Sequence, residues 1–335
     1  EGDIIVVTML FLEDQSDAIL PALLARRPYC DAMIGIMSSG EIIKLTRLGR
    51  LNMDGSGKGP LALLKKLRGK GGKSQSSSGA GQMAMLRRLP KILRYIPGTA
   101  QDLRSYFLTM QYCLAGSEDN ITHMAGYLVG RYATDGRATL GQNYSPQDPV
   151  CYPDVGLYHP RMQKAAKGNQ GLYGHRMSED LNDLPNIAAK SGSKSDGALG
   201  TVGLLVMRSY VLSGDCAHYD AMITALESRG LRVIPAFASG LDCRPAIERF
   251  FMDQGVARVD ALLSLTGFSL VGGPAYNDST AAADVLARLD VPYLAAHAVE
   301  FQSLDQWEQG ESGLTPMEAT MMVAIPELDG ATGPM

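Results

Sequence analysis

Between residues 201 and 299 the apolar positions come in short unbroken runs, at 202–207 (VGLLVM), 232–238, 259–265 and 292–297. Runs of this length, rich in Val, Leu and Ile and lacking alternation, are expected of strands buried on both faces of a parallel sheet. The stretches between them, 216–229, 244–252 and 279–289, carry helical spacing. Tyr219, Met222, Ile223 and Leu226 fall on one face of a helix that stops at Arg229 and Gly230. Strand and helix in strict succession imply right-handed crossovers and an α/β fold with a doubly wound, mostly parallel sheet on the C-terminal side of the chain. In such sheets ligands bind beyond the carboxyl ends of the strands.

The N-terminal pattern is a shorter version of the same kind. Asp3 to Leu12 predicts a buried strand, Ser16 to Ala25 a helix, Asp31 to Met37 a second strand and Gly40 to Leu48 a second helix. This is a partial α/β unit, too short to close a sheet of its own. Helical spacing returns at 83–94, 100–114 and 119–132, with Ser117 placed to cap the last helix. Leu103, Tyr106, Phe107, Met110 and Leu114 form a core-facing stripe on the middle one. The predicted organisation is therefore a partial α/β unit over 1–54, a basic loop over 55–82, a helical segment over 83–135, an extended connector and linker over 136–200, and a Rossmann-like domain over 201–335. Within the connector, 144–160 is rich in Pro and aromatic residues. The stretch 186–200 is polar and rich in Gly and Ser.

Composition narrows the class. With 45% hydrophobic and 20% charged residues, the chain is an ordinary globular protein, and no apolar run is long enough to span a bilayer. No secretory or transit signature is present. Five scattered cysteines, Cys30, Cys113, Cys151, Cys216 and Cys243, predict free thiols in a reducing compartment, so a cytoplasmic location, or a chloroplast stroma for a plant or algal source. The chain opens on Glu1 without an initiator Met and ends in a turn-like stretch, as expected of a piece of something larger.

Charge is unevenly spread. Residues 55–95 hold ten Lys and Arg and no acid, whereas the whole chain carries a net charge of −4. Two readings stand side by side: an anion-facing patch for an acidic partner, or a solvated linker. A phosphate loop is not among them. The run GSGKG at 55–59 lacks the leading Gly, where Asn52 stands, and the Ser or Thr that should follow Lys58.

The candidate chemistry gathers on one sheet edge. Asp215 and His218 lie three residues apart just after the first strand, beside Tyr219, and could act as an acid/base pair or metal ligands; alternatively Asp215 caps the helix. Arg208 ends the same strand and could clamp a carboxylate. Asp242 follows the second strand, and Thr266, Gly267 and Phe268 follow the third, with Phe268 placed to stack on a planar ligand. His297 and Glu300 follow the fourth. Gly272, Gly273 and Pro274 read as a turn, and His123, His159 and His175 as structural. No dinucleotide fingerprint follows any strand.

Several of these stretches also resemble the large porphyrin-binding subunits of the CobN/magnesium chelatase family. The runs are VGLLVMRS (202–209), SGDCAHY (213–219), ALESRGLRVIP (225–235), SLTGFSLVGGP (264–274), LDVPYL (289–294) and AIPELDG (324–330), with LPKILRYIP (89–97) and DPVCYPDVGLYHP (148–160) upstream. The resemblance covers nearly the whole chain, in order. It implies a subunit that binds protoporphyrin IX and on which Mg2+, the metal substrate, is inserted. It further implies that ATP is hydrolysed by a separate AAA+ subunit working with an integrin-like subunit, in chlorophyll and bacteriochlorophyll synthesis. No nucleic acid partner is implied. The cobaltochelatase large subunit is the alternative. The family's subunit is much longer, and its His- and Glu-containing motif is absent here, so no catalytic residue or metal ligand is carried over. Arg208, Asp215, His218, Tyr219, Asp242, Thr266, Gly267 and Phe268 rest on the strand-edge argument as substrate-binding residues.

Overall fold

The computed structural model describes residues 3–11, 13–54, 88–141, 144–162, 176–185, 198–267, 269–273, 276–299 and 301–332. The basic segment 55–87, most of the 186–200 linker, His175, Phe268, Pro274 and Glu300 lie outside the described residues. The chain divides into two units, Glu1–Cys151 and Tyr152–Met335.

In the first unit, Ile4–Thr8 (β1) pairs in parallel with Ala32–Ile36 (β2) through the helix Glu13–Arg26 (α1). The predicted second helix is shorter than its apolar pattern suggested. It spans Gly40–Lys44 (α2), and the chain then turns into a small antiparallel extension, Arg47–Leu48 (β3) and Leu51–Asn52 (β4). The unit thus has a four-stranded sheet, where the sequence suggested a fragment unable to close one. Gly35 makes the close packing of α2 on β2 possible, since a Cβ there would stand 2.3 Å from the Ile42 carbonyl oxygen.

Both faces of this sheet are covered. Ile19, Leu20 and Leu23 of α1 join Val7, Met33 and Ile42 on one side. On the other, residues 88–93 (α3), Thr99–Ala115 (α4) and Glu118–Tyr132 (α5) pack Leu93, Leu103, Tyr106, Phe107 and Leu128 against Ala32, Ile34 and Ile36. Ser117 caps α5 as its sequence position predicts, accepting from the Asn120 N–H at 3.2 Å.

The second unit is built on a six-stranded sheet. Its strands are Val155–Tyr158 (β5), Met177–Ser178 (β6), Gly200–Leu205 (β7), Leu231–Ala238 (β8), Ala261–Ser264 (β9) and Tyr293–Ala295 (β10), in the spatial order β10-β9-β7-β8-β5-β6. The four strands read from the sequence are all parallel, in the register Leu205↔Ala236, Ser264↔Leu205 and Ser264↔Ala295. β5, which falls in the stretch read as an extended connector, adds antiparallel to the edge at β8, and β6 pairs with it. Prolines of this stretch, among them Pro149, Pro153 and Pro160, flank β5 and leave its ladder intact.

The crossovers are Arg208–Ser213 (α6) and Ala217–Ser228 (α7) between β7 and β8, a helical stretch from Arg244 to Phe251 between β8 and β9, and Ser279–Leu289 (α8) between β9 and β10. Phe250, Phe251, Ala282, Val285 and Leu289 share one buried cluster with Leu205, Ile234 and Leu262 of the sheet. The stretch after β10 carries Leu304–Gln309 and a helical run from Pro316 to Leu328. Among the described residues no helix is long and apolar enough to cross a membrane. None of the five cysteines is joined in a disulfide.

Candidate functional site at the switch point of the sheet

The first strand of the repeat, β7, sends its chain one way to β8, and the next crossover carries it back past β7 to β9. The strand order therefore reverses between β7 and β9, and the loops leaving their carboxyl ends part to leave a crevice, the usual ligand position in open α/β sheets. A shallow, partly open recess lies there. Tyr210 and His218 reach it from beyond β7, Leu265, Thr266 and Gly267 from β9, and His297, Ala298 and Phe301 from β10. Met321 and Met322 close it from the C-terminal helical run.

The recess is apolar with a few nitrogen and oxygen groups. His218 is half-buried, with its ring centroid 3.9 Å from that of Tyr219 and edge-on to Tyr210 at 5.6 Å. Thr266 is buried, and its hydroxyl lies 3.0 Å from that of Ser264. Gly267 has a φ of +79°, a left-handed conformation that favours glycine, and a Cβ there would stand 3.5 Å from His297 Nδ1. The opposite nitrogen, His297 Nε2, is enclosed with no hydrogen-bond partner among the described residues. Burial pulls this imidazole from 6.5 to about 4, because the charged form has lost its water and no carboxylate among the described residues replaces it. His297 is therefore neutral at physiological pH.

Of the residues that the strand-edge argument gathered, the structure brings His218, Thr266 and Gly267 together in this recess, and His297 with them. The others serve different ends. Arg208 is not a free clamp: its Nε donates to the Pro153 carbonyl at 2.7 Å and its Nη2 to that of Tyr152 at 3.2 Å, tying the start of α6 to the chain entering β5. Tyr219 is fully buried, and its hydroxyl accepts from the Met207 N–H at 3.0 Å, which fixes the turn out of β7. Asp215 is exposed and makes neither the helix cap nor a pair with His218, since α7 has no side-chain cap at all. Asp242 is taken up by Arg244, accepting from its backbone N–H, Nε and Nη2 at 2.7–3.2 Å. Phe268 is outside the described residues.

Two features escaped the sequence. Met321 and Met322 are more than fifty residues from Thr266, and only the tertiary fold carries them to the strand edge. His159, read as structural, meets a carboxylate that no local spacing could reveal: its Nε2 lies 3.1 Å from Glu227 Oε1, across 68 residues of chain. Among the described residues no cluster of three or more His, Cys, Asp or Glu is placed to hold a metal ion.

Residues 110–335 match the family model described as CobN/Magnesium Chelatase. The chain belongs to the CobN/magnesium chelatase family. Residues 1–107 match a second model, described as a Domain of unknown function (DUF3479). The magnesium-chelatase H subunit of Cereibacter sphaeroides is 51% identical over 333 residues, covering 99% of this chain and 26% of that protein. The chloroplastic magnesium-chelatase subunit ChlH of Oryza sativa subsp. indica is 34% identical over 344 residues, covering 100% of this chain and 23% of that protein. The aerobic cobaltochelatase subunit CobN of a Sinorhizobium species is 32% identical over 130 residues, 39% of this chain and 10% of that protein. The chain thus spans about a quarter of the length of the two magnesium-chelatase relatives that it matches from end to end.

Proposed function

We propose that the chain is part of the porphyrin-binding subunit of a magnesium chelatase, which inserts Mg2+ into protoporphyrin IX in (bacterio)chlorophyll synthesis. The observation that carries this reading is the 51% identity to a magnesium-chelatase relative over 99% of the chain. The cobalt alternative is supported over only 39% of it. ATP is hydrolysed on a separate AAA+ subunit that acts with an integrin-like one, in keeping with the failure of residues 55–59 to spell a phosphate loop. Mg2+ gives up its hydration water reluctantly, which is a physical reason for coupling insertion to ATP.

In this reading the switch-point recess is a wall for the tetrapyrrole. A flat macrocycle needs apolar, ring-lined surface, and Tyr210, His218, Phe301 and the two methionines offer it. The propionates are met by groups other than Arg208, which is committed to backbone carbonyls. The experiment is quenching of protoporphyrin fluorescence by the full-length protein carrying Gly267→Val. This variant both strains a positive φ and fills the space beside His297. The expected result is a Kd raised roughly tenfold, about 1.4 kcal/mol of binding. An unchanged Kd in a folded variant would move the tetrapyrrole away from this recess.

A further inference from the structure

The recess contains an imidazole with a nitrogen that none of the described residues engages. His297 Nε2 has no partner among the described residues, and Nδ1 faces Gly267, where the missing side chain leaves room. The other polar side chains around it, among the described residues, are the Thr266 hydroxyl, engaged with Ser264, the Tyr210 hydroxyl and the ring of His218, which is packed among tyrosines. None of the described side chains lining the space is charged. Such a lining cannot hold an ion by charge. It offers one neutral nitrogen lone pair among aromatic rings and thioethers.

That combination suits a metal already carried in the plane of an apolar macrocycle, with an axial position still open. A closed-shell divalent metal in a tetrapyrrole takes a nitrogen ligand perpendicular to the ring, and a metal-free tetrapyrrole has nothing there to accept the lone pair. We propose that His297 is an axial ligand for the metal of a metallated tetrapyrrole, so that the recess favours the product of insertion over its substrate. The inference rests on the reading that this recess faces a tetrapyrrole. The bond is dative: the imidazole lone pair replaces an axial water, no proton is released and the metal keeps its oxidation state. Because burial holds the imidazole neutral, protons do not compete with the metal for it.

The test uses the full-length protein with zinc protoporphyrin IX and with metal-free protoporphyrin IX, in the wild type and in His297→Ala, His297→Phe and His218→Ala. The Phe variant keeps ring volume without a lone pair, so the readout survives if alanine collapses the recess. Wild type is expected to red-shift the Soret band of the zinc macrocycle and to bind it more tightly than the metal-free one. Both His297 variants are expected to lose the shift and about tenfold of the zinc-macrocycle affinity, with a much smaller change in the metal-free Kd. Added imidazole should restore the shift in His297→Ala. A shift that survives both His297 variants, or that only His218→Ala removes, overturns the proposal and leaves the tetrapyrrole wall standing. If Gly267→Val and every histidine variant leave both affinities unchanged, the wall itself falls, and the axial ligand with it.

Discussion

The second unit encloses ring nitrogens of two histidines in opposite ways. His159, at the end of β5, is 1% exposed, yet both of its nitrogens are satisfied: Nδ1 accepts from the Arg161 N–H at 3.1 Å and Nε2 donates to Glu227. Arg161 grips the same carboxylate through both oxygens at 2.8 Å, and Tyr158 donates to Asp220, which lies nearer the start of α7. His297, at the carboxyl edge of β10, has an enclosed nitrogen with nothing to bond among the described residues. Both imidazoles are pulled down by burial, but Glu227 opposes the pull on His159, and among the described residues no charge opposes it on His297. A buried polar group with its partners in place fastens two elements together. One without them costs stability in the free protein, and a recess at a switch point is where a ligand could recover that cost.

The largest effect that sharpens the contrast is expected at the fastened histidine. Glu227→Ala leaves the His159 N–H buried without an acceptor and frees Arg161, at a cost of about 2–4 kcal/mol, read as a lowered urea midpoint at constant m-value. A loss below the error of the measurement would mean that water replaces the carboxylate and that the network fastens nothing. The next effect is smaller. Tyr158→Phe removes one hydrogen bond to Asp220, whose other contact is the half-exposed Arg176, and should cost about 1 kcal/mol in the same assay.

This contrast was only half legible in the sequence. The parallel strands could be read because burial on both faces leaves unbroken apolar runs, and the helices because 3.6-residue spacing survives in Tyr219 and Ile223 or in Ala282, Val285 and Leu289. The antiparallel strand Val155–Tyr158 could not, since it sits among prolines and is specified by its pairing with Ala236, Phe237 and Ala238. β3 and β4 are two residues each, too short for any period to register. The strand-end rule found His218, Thr266, Gly267 and His297, because chain direction alone sends those loops to one edge. It misread Arg208, since a rule about direction says nothing of a carbonyl 55 residues back that already holds the guanidinium. Which histidine would be partnered could not be known before Glu227 and Arg161 were seen to meet across two strands and a helix.

The smallest effect is the one that decides the comparison. His297→Phe removes a nitrogen that bonds to nothing among the described residues and replaces it with ring carbon in an apolar recess. In the ligand-free protein at neutral pH it should therefore leave stability unchanged or raise it, by less than about 1 kcal/mol. Its signature lies instead in the pH dependence. The folded imidazole titrates near 4 and the unfolded one near 6.5, so between those values the unfolded chain binds the extra proton. Wild-type stability is thus fully present above 6.5 and declines as the pH falls toward 4, and the Phe variant should show a shallower decline across that window. His159 contributes a slope of the same sign, which is why the decline is expected to flatten rather than vanish. Urea midpoints measured at several pH values between about 7 and 4 would test this. Parallel curves for wild type and variant would mean that His297 finds a partner in solution after all, and that the recess holds no unspent nitrogen for a ligand to claim.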